Sequence, residues 1–548
     1  MDAARKKRTT QEPGRVSLPF ETIRQSSGAP VTNSPGTTGE SESQHVVEEE
    51  GTLASIGRRR GEPQPRPKET ETSEGRIRAN KREAGKREAP GAGGAKAARV
   101  GNELEEGEMT ATSMAENMSP ERIKVMERAR SPQFVFLSLA HLLDEDALTR
   151  AYHRIRKDAA VGTDGITKEQ YGQNLEGNIR GLHQRLRTMT WRHQPIRRVH
   201  IPKERGKTRP IGISTLEDKV VQGALCELLE LIFEPLFMDC SYGFRRGRSA
   251  HDALRALNGV LSRGEGNYIL ELDVQSYFDS IDREKLKEML RERVVDGSLM
   301  RLVGKCLHVG VLDGSEYFEP GEGTPQGSVL SPVLGNLYLH HVLDVWFERE
   351  VRPRLKGRAH LIRYADDAVI TFEREDDALR VKEVITKRFE RYGLTLHPEK
   401  TRVVRYERPR KGNSTGKGPG TFDFLGFTHY WCRSRGGKWV PRVKTRTARL
   451  RRFFTAVADF CRSHRHEPVK EQHAALTRRI TGHFNYFGVN GNVRSLQRVA
   501  HACETVWHKW LNRRSQRSRM SWDRFTALLR ANPLPRPVVR VQLWQTAP

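Results

Sequence analysis

Apolar and polar positions divide the chain into a polar leading segment and a patterned remainder. Residues 1–118 are rich in Gly, Pro, Ser, Thr and charged residues and have almost no aromatic residues. Such a segment cannot bury enough apolar surface to offset the entropy lost on ordering. The pattern predicts a disordered basic tail, and the residues leave open whether it searches for RNA or has no defined role.

Regular apolar spacing begins at Ser119, where Ser followed by Pro is typical of a helix start. Apolar repeats of three and four residues predict helices, whereas alternation predicts strands. The predicted helices cover residues 119–129, 138–158, 168–189, 216–234, 283–294 and 331–351. The predicted strands cover residues 196–203, 209–215 and 268–278, with two short strands around a turn in 361–372. The Gly-rich stretch 407–421 predicts a loop, and helical patterns dominate 441–548.

Two adjacent carboxylates, Asp366 and Asp367, stand among apolar, strand-forming residues. Asp273 lies in a similar apolar setting, 93 residues before Asp366. Isolated buried carboxylates are costly and tend to protonate, whereas a divalent cation neutralises several of them at once. Two such ions can serve phosphoryl transfer. Spacing alone leaves open the alternative that each aspartate is a turn or capping residue.

The charge balance points to a polyanionic partner. The chain of 548 residues has a formal net charge of +27 and a pI of about 10.1. Nucleic acid is the leading candidate, ahead of an anionic membrane surface. No run of 18 apolar residues predicts a membrane span, and the N-terminus has no secretory signal. We therefore expect a protein without membrane association.

The six cysteines are scattered, and none has C-x-x-C spacing. This pattern argues against a zinc site or a disulfide framework. It predicts buried free thiols in a reducing compartment.

Residues 441–548 contain 22 Lys and Arg against 5 Asp and Glu. Together with the helical spacing, this excess predicts a basic helical domain that contacts RNA phosphates. Its aromatic residues could stack on unpaired bases, but their spacing also fits an apolar helix face. The sequence leaves both roles open for Phe484, Tyr486, Trp507 and Trp510.

Seven sequence blocks, in order, resemble those of reverse transcriptases. They are IPKERGKTRPIGISTLEDKVVQGAL (201–225), YGFRRGRSAHDAL (242–254), LDVQSYFDSID (272–282), GTPQGSVLSPVLGNLYL (323–339), YADD (364–367), GLTLHPEKT (393–401) and FDFLGF (422–427). The GTDGIT turn ahead of them and the basic helices behind them are similar to those of group II intron-encoded reverse transcriptases and maturases. The resemblance covers roughly residues 119–548.

The resemblance implies an α+β right-hand polymerase, with fingers, a palm built on an antiparallel sheet and an α-helical thumb or maturase domain. It implies an N-terminal extension and the start of the fingers at 119–215, fingers and palm at 216–430, and the thumb or maturase domain at 431–548, behind the disordered tail at 1–118. Many members continue into a zinc-dependent His-Asn-His endonuclease. Because no paired-cysteine motif is present here, we expect this member to lack it.

By the same resemblance, Asp273, Asp366 and Asp367 are catalytic metal ligands. Asp273 and Asp366 hold two Mg²⁺ ions, Asp367 contributes less directly, and the Val274 carbonyl completes one coordination shell. Mn²⁺ is the alternative metal.

The resemblance also implies a dNTP site. Lys203 and Arg209 clamp the triphosphate, and Val274 lies beside it. Phe278 lies under the sugar and excludes a 2′-hydroxyl, while Gln326 packs near the incoming nucleotide and the template base. Lys400 reaches the primer or the triphosphate, with a surface lysine as the alternative.

The implied activity is RNA-directed DNA synthesis that serves a group II intron. A primer 3′-hydroxyl attacks the α-phosphate of a dNTP on an RNA template, and the protein binds intron RNA to assist splicing and mobility. The expected partners are intron RNA, template RNA with a DNA primer, dNTPs and target DNA, in the bacterial cytoplasm rather than an organelle. Two alternatives stay open: a splicing maturase with a dispensable polymerase, and a reverse transcriptase repurposed for defence or repair. The oligomeric state is left open.

Overall fold

A computed structural model describes residues 118–202, 208–409, 420–434, 436–515 and 519–544. The expected tail, apart from its last residue, and most of the predicted loop at 407–421 lie outside the described residues. The helices are α1 (Pro120–Ala129), α2 (Glu145–Arg154), α3 (Lys168–Gly172), α4 (Leu175–Arg187), α5 (Leu216–Phe233), α6 (Ala250–Arg263), α7 (Arg283–Arg291), α8 (Gly297–Leu307), α9 (Ser331–Leu339), α10 (Glu375–Arg391), α11 (Thr447–Ser463), α12 (Val469–Phe487), α13 (Val493–Leu511) and α14 (Trp522–Ala531). The strands are β1 (Ile196–Pro202), β2 (Thr208–Ile213), β3 (Tyr268–Leu272), β4 (Val311–Asp313), β5 (Glu316–Phe318), β6 (Ala359–Tyr364), β7 (Asp367–Phe372), β8 (Arg402–Arg405), β9 (Phe422–Phe424), β10 (Phe427–Arg433) and β11 (Trp439–Thr445).

Two of the predicted helices are divided in the structure. The span 168–189 forms α3 and α4, which are separated at Asn174, where the backbone leaves the helical region with φ −131° and ψ 53°. In the span 138–158, α2 begins only after Asp144, whose carboxylate accepts the Ala147 N–H at 2.7 Å and caps the helix. Apolar periodicity alone does not reveal a cap or a break inside a helical repeat.

The long helix predicted from residue 331 is continuous to residue 351, but it is not uniformly α-helical. After α9 it contains π-helical segments at His340–Asp344 and Phe347–Val351. A π-helical turn inserts a residue and rotates the following side chains relative to a regular α-helix. In this helix Asp344 is fully buried.

The central sheet is four-stranded and antiparallel, in the order β6-β7-β3-β8. Inner strand β3 pairs with β7 from Tyr268 opposite Phe372 to Leu272 opposite Ala368. The apolar residues of β7 are buried, as expected for a strand covered on both faces. β3 is shorter than the predicted strand at 268–278, so Asp273 lies just beyond its end.

Two further sheets complete the described strands. One has the order β2-β1-β4-β5, in which β1 and β4 run parallel and the other neighbours antiparallel. The other is antiparallel, in the order β11-β10-β9. The fold is therefore mixed α/β with mainly antiparallel sheets, which confirms the α+β class at this level.

The last four helices, α11 to α14, bury an apolar core of their own. Trp507 is fully buried there and donates its Nε1–H to Gln472 Oε1 at 3.1 Å. Phe484 is also buried, whereas Tyr486 and Trp510 are only partly covered. Phe484 and Trp507 are therefore core residues of this helical region.

Two further findings concern the cysteines and membrane-spanning helices. All six cysteines are free, and Cys306, Cys461 and Cys503 are buried. Across the described ranges, no helix combines the length and apolar character needed to cross a bilayer.

A buried histidine in the sheet of β9 to β11 predicts a pH-dependent stability. His429 stacks on Phe422 with ring centroids 4.6 Å apart, and its Nε2 has no hydrogen-bond partner among the described residues. Burial lowers the pKa of His429 from 6.5 to about 3. Between those values the unfolded chain binds a proton that the folded chain does not, so stability is lost as the pH falls.

We therefore expect a fall from pH 7 to pH 5 to cost the wild-type protein about 2 kcal/mol more unfolding free energy than it costs the His429→Phe variant. Urea unfolding at both pH values measures the difference. His466→Phe, at an exposed position, is the matched control and should keep the wild-type response. Equal pH responses of wild type and His429→Phe would contradict the prediction.

Candidate active site

The adjacent aspartates lie on the hairpin that joins β6 and β7. Tyr364 pairs with Asp367 at the end of the hairpin, so Ala365 and Asp366 form a two-residue turn. Ala365 has φ +56°, a value that L-residues rarely adopt but short hairpins require. A Cβ at Gly243 would overlap the backbone nitrogen of Ala365. A glycine therefore lies where the chain passes closest to the turn.

Asp273 joins this pair from the neighbouring strand. Leu272, the last residue of β3, pairs with Ala368 of β7. One further step along this antiparallel register brings Asp273 beside Asp367. Aspartates from two sequence blocks therefore lie on neighbouring strands at one end of the central sheet.

The segment 393–401 lies against Asp273 on its other side. Val274 forms an antiparallel bridge with Leu396 of this segment. Lys400 donates from Nζ to both carboxylate oxygens of Asp273, at 2.9 and 3.1 Å. Lys400 is thus in direct contact with an expected metal ligand, although its side chain is also about half exposed.

Negative charge accumulates at this end of the sheet. Desolvation raises the pKa of Asp366, and the charge of Asp273 raises it further. Desolvation and the charges of Asp366 and Asp273 likewise raise the pKa of Asp367. The Asp367 side chain is itself exposed, so the charges of Asp366 and Asp273 are the main physical cause of its raised pKa. Positive charge from Arg449 and Lys400 offsets only part of the repulsion.

The donor set suits a hard divalent cation, because carboxylates are the ligands that Mg²⁺ prefers in proteins. Within the described part of the chain, no group of three or more His, Cys, Asp or Glu side chains is close enough to hold a metal as it stands. The carboxylate of Asp273 is instead paired with Lys400. Asp366 and Asp367 would hold the ion, and Asp273 would join them by exchanging Lys400 for it.

The structure also describes three further expected dNTP contacts, Arg209, Gln326 and Phe278. Arg209 of β2 donates from Nε to Gln326 Oε1 at 3.0 Å, and its positive charge acts on Asp366. Phe278 is half-buried and packs against Gly335 of α9, where an added Cβ would lie 3.0 Å from the ring. Lys203 lies outside the described residues.

A buried guanidinium beneath the hairpin was not among the predicted site residues. Arg363 of β6 is fully buried and forms a two-pronged ion pair with Asp344, at 2.7 and 2.6 Å. It also donates to Ser241 Oγ at 2.7 Å, Asn336 Oδ1 at 2.9 Å and Ala365 O at 3.0 Å. The guanidinium therefore ties the turn to the long helix and to the segment that precedes Gly243.

The sequence contained one signal for this network. Arg363 is a charged residue inside an apolar strand, directly before the YADD block. A charge in such a position is seldom buried without a partner. Nothing in the sequence identified Asp344 as that partner. Asp344 lies in a π-helical turn, and the residue pattern does not show such a turn.

Comparison with known proteins agrees with this geometry. Residues 201–429, which contain all the expected site residues, match the reverse transcriptase (RNA-dependent DNA polymerase) family. The group II intron-encoded protein LtrA of Lactococcus lactis subsp. cremoris is 32% identical over 279 residues, which cover 49% of this chain and 46% of LtrA. Protein YkfC of Escherichia coli K12 is 36% identical over 206 residues, or 37% of this chain and 53% of YkfC. Nuclear intron maturase 4 of Arabidopsis thaliana is 36% identical over 156 residues, or 28% of this chain and 19% of that protein.

The family match shows the class of protein: the chain contains a reverse transcriptase domain. The matched region spans about half the length of the first two relatives, at 46% and 53%. Several of the relatives are intron-encoded proteins or intron maturases. The chain is thus similar to group II intron-encoded proteins and intron maturases, and its residues 201–429 match the reverse transcriptase family.

Proposed function

We propose that the chain is an RNA-directed DNA polymerase that extends a primer 3′-hydroxyl with dNTPs on an RNA template. The observation that carries the proposal is the meeting of Asp273 with the Asp366–Asp367 hairpin at one end of the central sheet. Two Mg²⁺ ions bound there would stabilise both the attacking and the leaving oxygen of an in-line displacement. The match to the reverse transcriptase family supports the use of divalent metal in general.

The residues of the chain contribute binding and orientation. The Arg209 guanidinium attracts and orients the triphosphate, together with Lys203, which lies six residues earlier in the sequence. Phe278, held against α9, occupies the space that a 2′-hydroxyl would need. Gln326 lies beside Arg209 and contacts the nucleotide. Lys400 releases Asp273 and turns towards the primer or triphosphate.

The right-hand architecture fits this assignment. We propose β6-β7-β3-β8 as the palm sheet, β1 and β2 as part of the fingers, and α11 to α14 as the thumb or maturase domain. The proposed divisions are 119–215, 216–430 and 431–548. The basic excess of the last region, 22 Lys and Arg against 5 Asp and Glu, supports contact with RNA phosphates.

We further propose that the RNA ligand includes a group II intron, whose splicing the chain assists. Support comes from two of the relatives, of which one is named as a group II intron-encoded protein and the other as an intron maturase. Target DNA is the remaining proposed partner, since mobility requires an insertion site.

The test is primer extension on an RNA template with Mg²⁺ and dNTPs. DNA product that depends on template, metal and dNTPs is the expected result. RNA binding without any product would overturn the polymerase and favour a splicing maturase. Self-splicing assays with the flanking intron RNA, run beside the extension assay, separate the two activities.

Phe278 offers a test of sugar selection. Replacing Phe278 with Val removes the ring, so the space it filled should accommodate the 2′-hydroxyl of an NTP. We expect the preference for dNTP over NTP to fall about tenfold to a hundredfold, the effect of altering an apolar contact in a discriminating pocket. The ratio of kcat/KM values for the two substrates measures it. Phe278→Tyr keeps the ring and is the matched control; an unchanged ratio in Phe278→Val would contradict the assignment.

A further inference from the structure

Two of the proposed nucleotide contacts, Arg209 and Gln326, are linked by hydrogen bonds to a third side chain, Asp279. Arg209 donates from Nε to Gln326 Oε1 at 3.0 Å, and Gln326 donates from Nε2 to Asp279 Oδ2 at 2.6 Å. The three residues come from three of the sequence blocks, yet their side chains lie in one row. Asp279 and Gln326 also line a cavity of about 170 Å³ between β1, β2 and the loop before α9.

The chemistry of its two partners, Arg209 and Asp279, determines the orientation of the Gln326 amide. A guanidinium only donates hydrogen bonds, so the amide oxygen must face Arg209. An ionised carboxylate only accepts them, so the amide NH₂ must face Asp279. A flipped amide would oppose two donors at one end and two acceptors at the other. Asp279 therefore selects a single orientation of the Gln326 side chain.

Backbone hydrogen bonds hold the three segments that carry Arg209, Asp279 and Gln326 together, independently of these side chains. The Gly212 N–H of β2 donates to the Gln326 carbonyl at 2.6 Å. The Thr324 N–H donates to the Phe278 carbonyl at 2.7 Å, which joins the loop before α9 to the segment that carries Asp279. The Asp279 side chain itself is exposed. Removing its charge should therefore leave the fold intact while it releases the Gln326 amide.

We propose that Asp279 is a positioning residue for nucleotide binding, which acts by orienting the Gln326 amide and, through it, the Arg209 guanidinium. This inference rests on the proposed polymerase function. Arg209 uses only its Nε to donate to Gln326, and the two other nitrogens of a guanidinium can donate to a phosphate. Asp279 thus prepares a triphosphate contact before the nucleotide arrives, although it does not touch the nucleotide itself.

The test is a double-mutant cycle in the full-length chain, with steady-state primer extension as the assay. We expect Asp279→Asn, which leaves the Gln326 amide free to flip, to raise the KM for dNTP roughly fivefold and to change kcat less, as for one lost hydrogen bond. Asp279→Ala should do the same. In a Gln326→Ala background the Asp279→Asn change should have no further effect, because its only route of action is gone.

A control variant and two contrary outcomes distinguish a failure of the Asp279 proposal from a failure of the proposed polymerase function. Asp376→Asn, at a partly exposed carboxylate beyond the opposite end of β7, should leave KM unchanged, and thermal melting should show all variants folded. An active wild type whose KM does not respond to Asp279→Asn would overturn this inference alone. So would an equal response in the Gln326→Ala background. A wild-type chain that makes no product would overturn the proposed function and this inference with it.

Discussion

Asp366→Asn is expected to reduce primer extension at least about 1,000-fold, because metal ligation contributes several kcal/mol of transition-state stabilisation. Asp366 lies in a two-residue turn, and its carboxylate is one of three that repel each other at the end of the sheet. Replacing it with a neutral amide removes a ligand and also part of this repulsion. We therefore expect the variant to be at least as stable as the wild type while it loses activity.

The measurement is single-nucleotide extension beside a thermal melt and an RNA-binding titration. RNA affinity should stay within about twofold, since the basic helices lie in another part of the sequence. Asp376→Asn removes a partly exposed carboxylate beyond the opposite end of β7 instead and should retain full activity. Extension by Asp366→Asn at a rate within tenfold of the wild type would mean that this hairpin is not the catalytic centre.

The second large effect is expected at Arg363. Arg363→Ala leaves Asp344 buried without its partner and should lower the free energy of unfolding by about 3–5 kcal/mol. It also removes the hydrogen bond to the Ala365 carbonyl that helps to hold the turn. Urea unfolding measures the first effect, and the extension rate of the folded fraction measures the second.

A double variant separates stability from positioning. Arg363→Met with Asp344→Leu replaces the ion pair by apolar groups, which often restores stability. We expect it to recover most of the unfolding free energy but not the extension rate, because the turn still lacks its guanidinium. Arg358→Ala, at an exposed ion pair just before β6, is the control and should cost less than about 1 kcal/mol. Full recovery of activity in the double variant would show that Arg363 serves stability alone.

Local features of the chain were predictable because they depend on neighbouring residues. Apolar residues on both sides of Asp366 and Asp367 predicted two strands and a turn, and the structure has β6 and β7 there. The basic helical region after residue 441 was predictable for the same reason, because its apolar spacing persists over several turns. The catalytic roles of the aspartates stay predictions that the variants above would test.

Other local predictions were wrong in ways that have physical causes. The strand predicted at 268–278 ends at Leu272, because the chain turns into a 3-10 segment that includes Phe278. The helix predicted at 168–189 breaks at Asn174. In both places a local conformation of a few residues overrides a longer apolar repeat, and such conformations have only weak sequence signals.

By itself, the sequence determined the order of the blocks, the strand–turn–strand around the paired aspartates and the basic character of the last helices. Only the tertiary structure decided which distant residues meet: Asp273 beside Asp367, Lys400 on Asp273, Arg363 with Asp344, and Asp279 with Gln326. The physical reason is that secondary structure follows from periodicity along the chain, whereas these contacts follow from strand register, a π-helical turn and the close approach of loops. Those features depend on packing between segments that are far apart in the sequence.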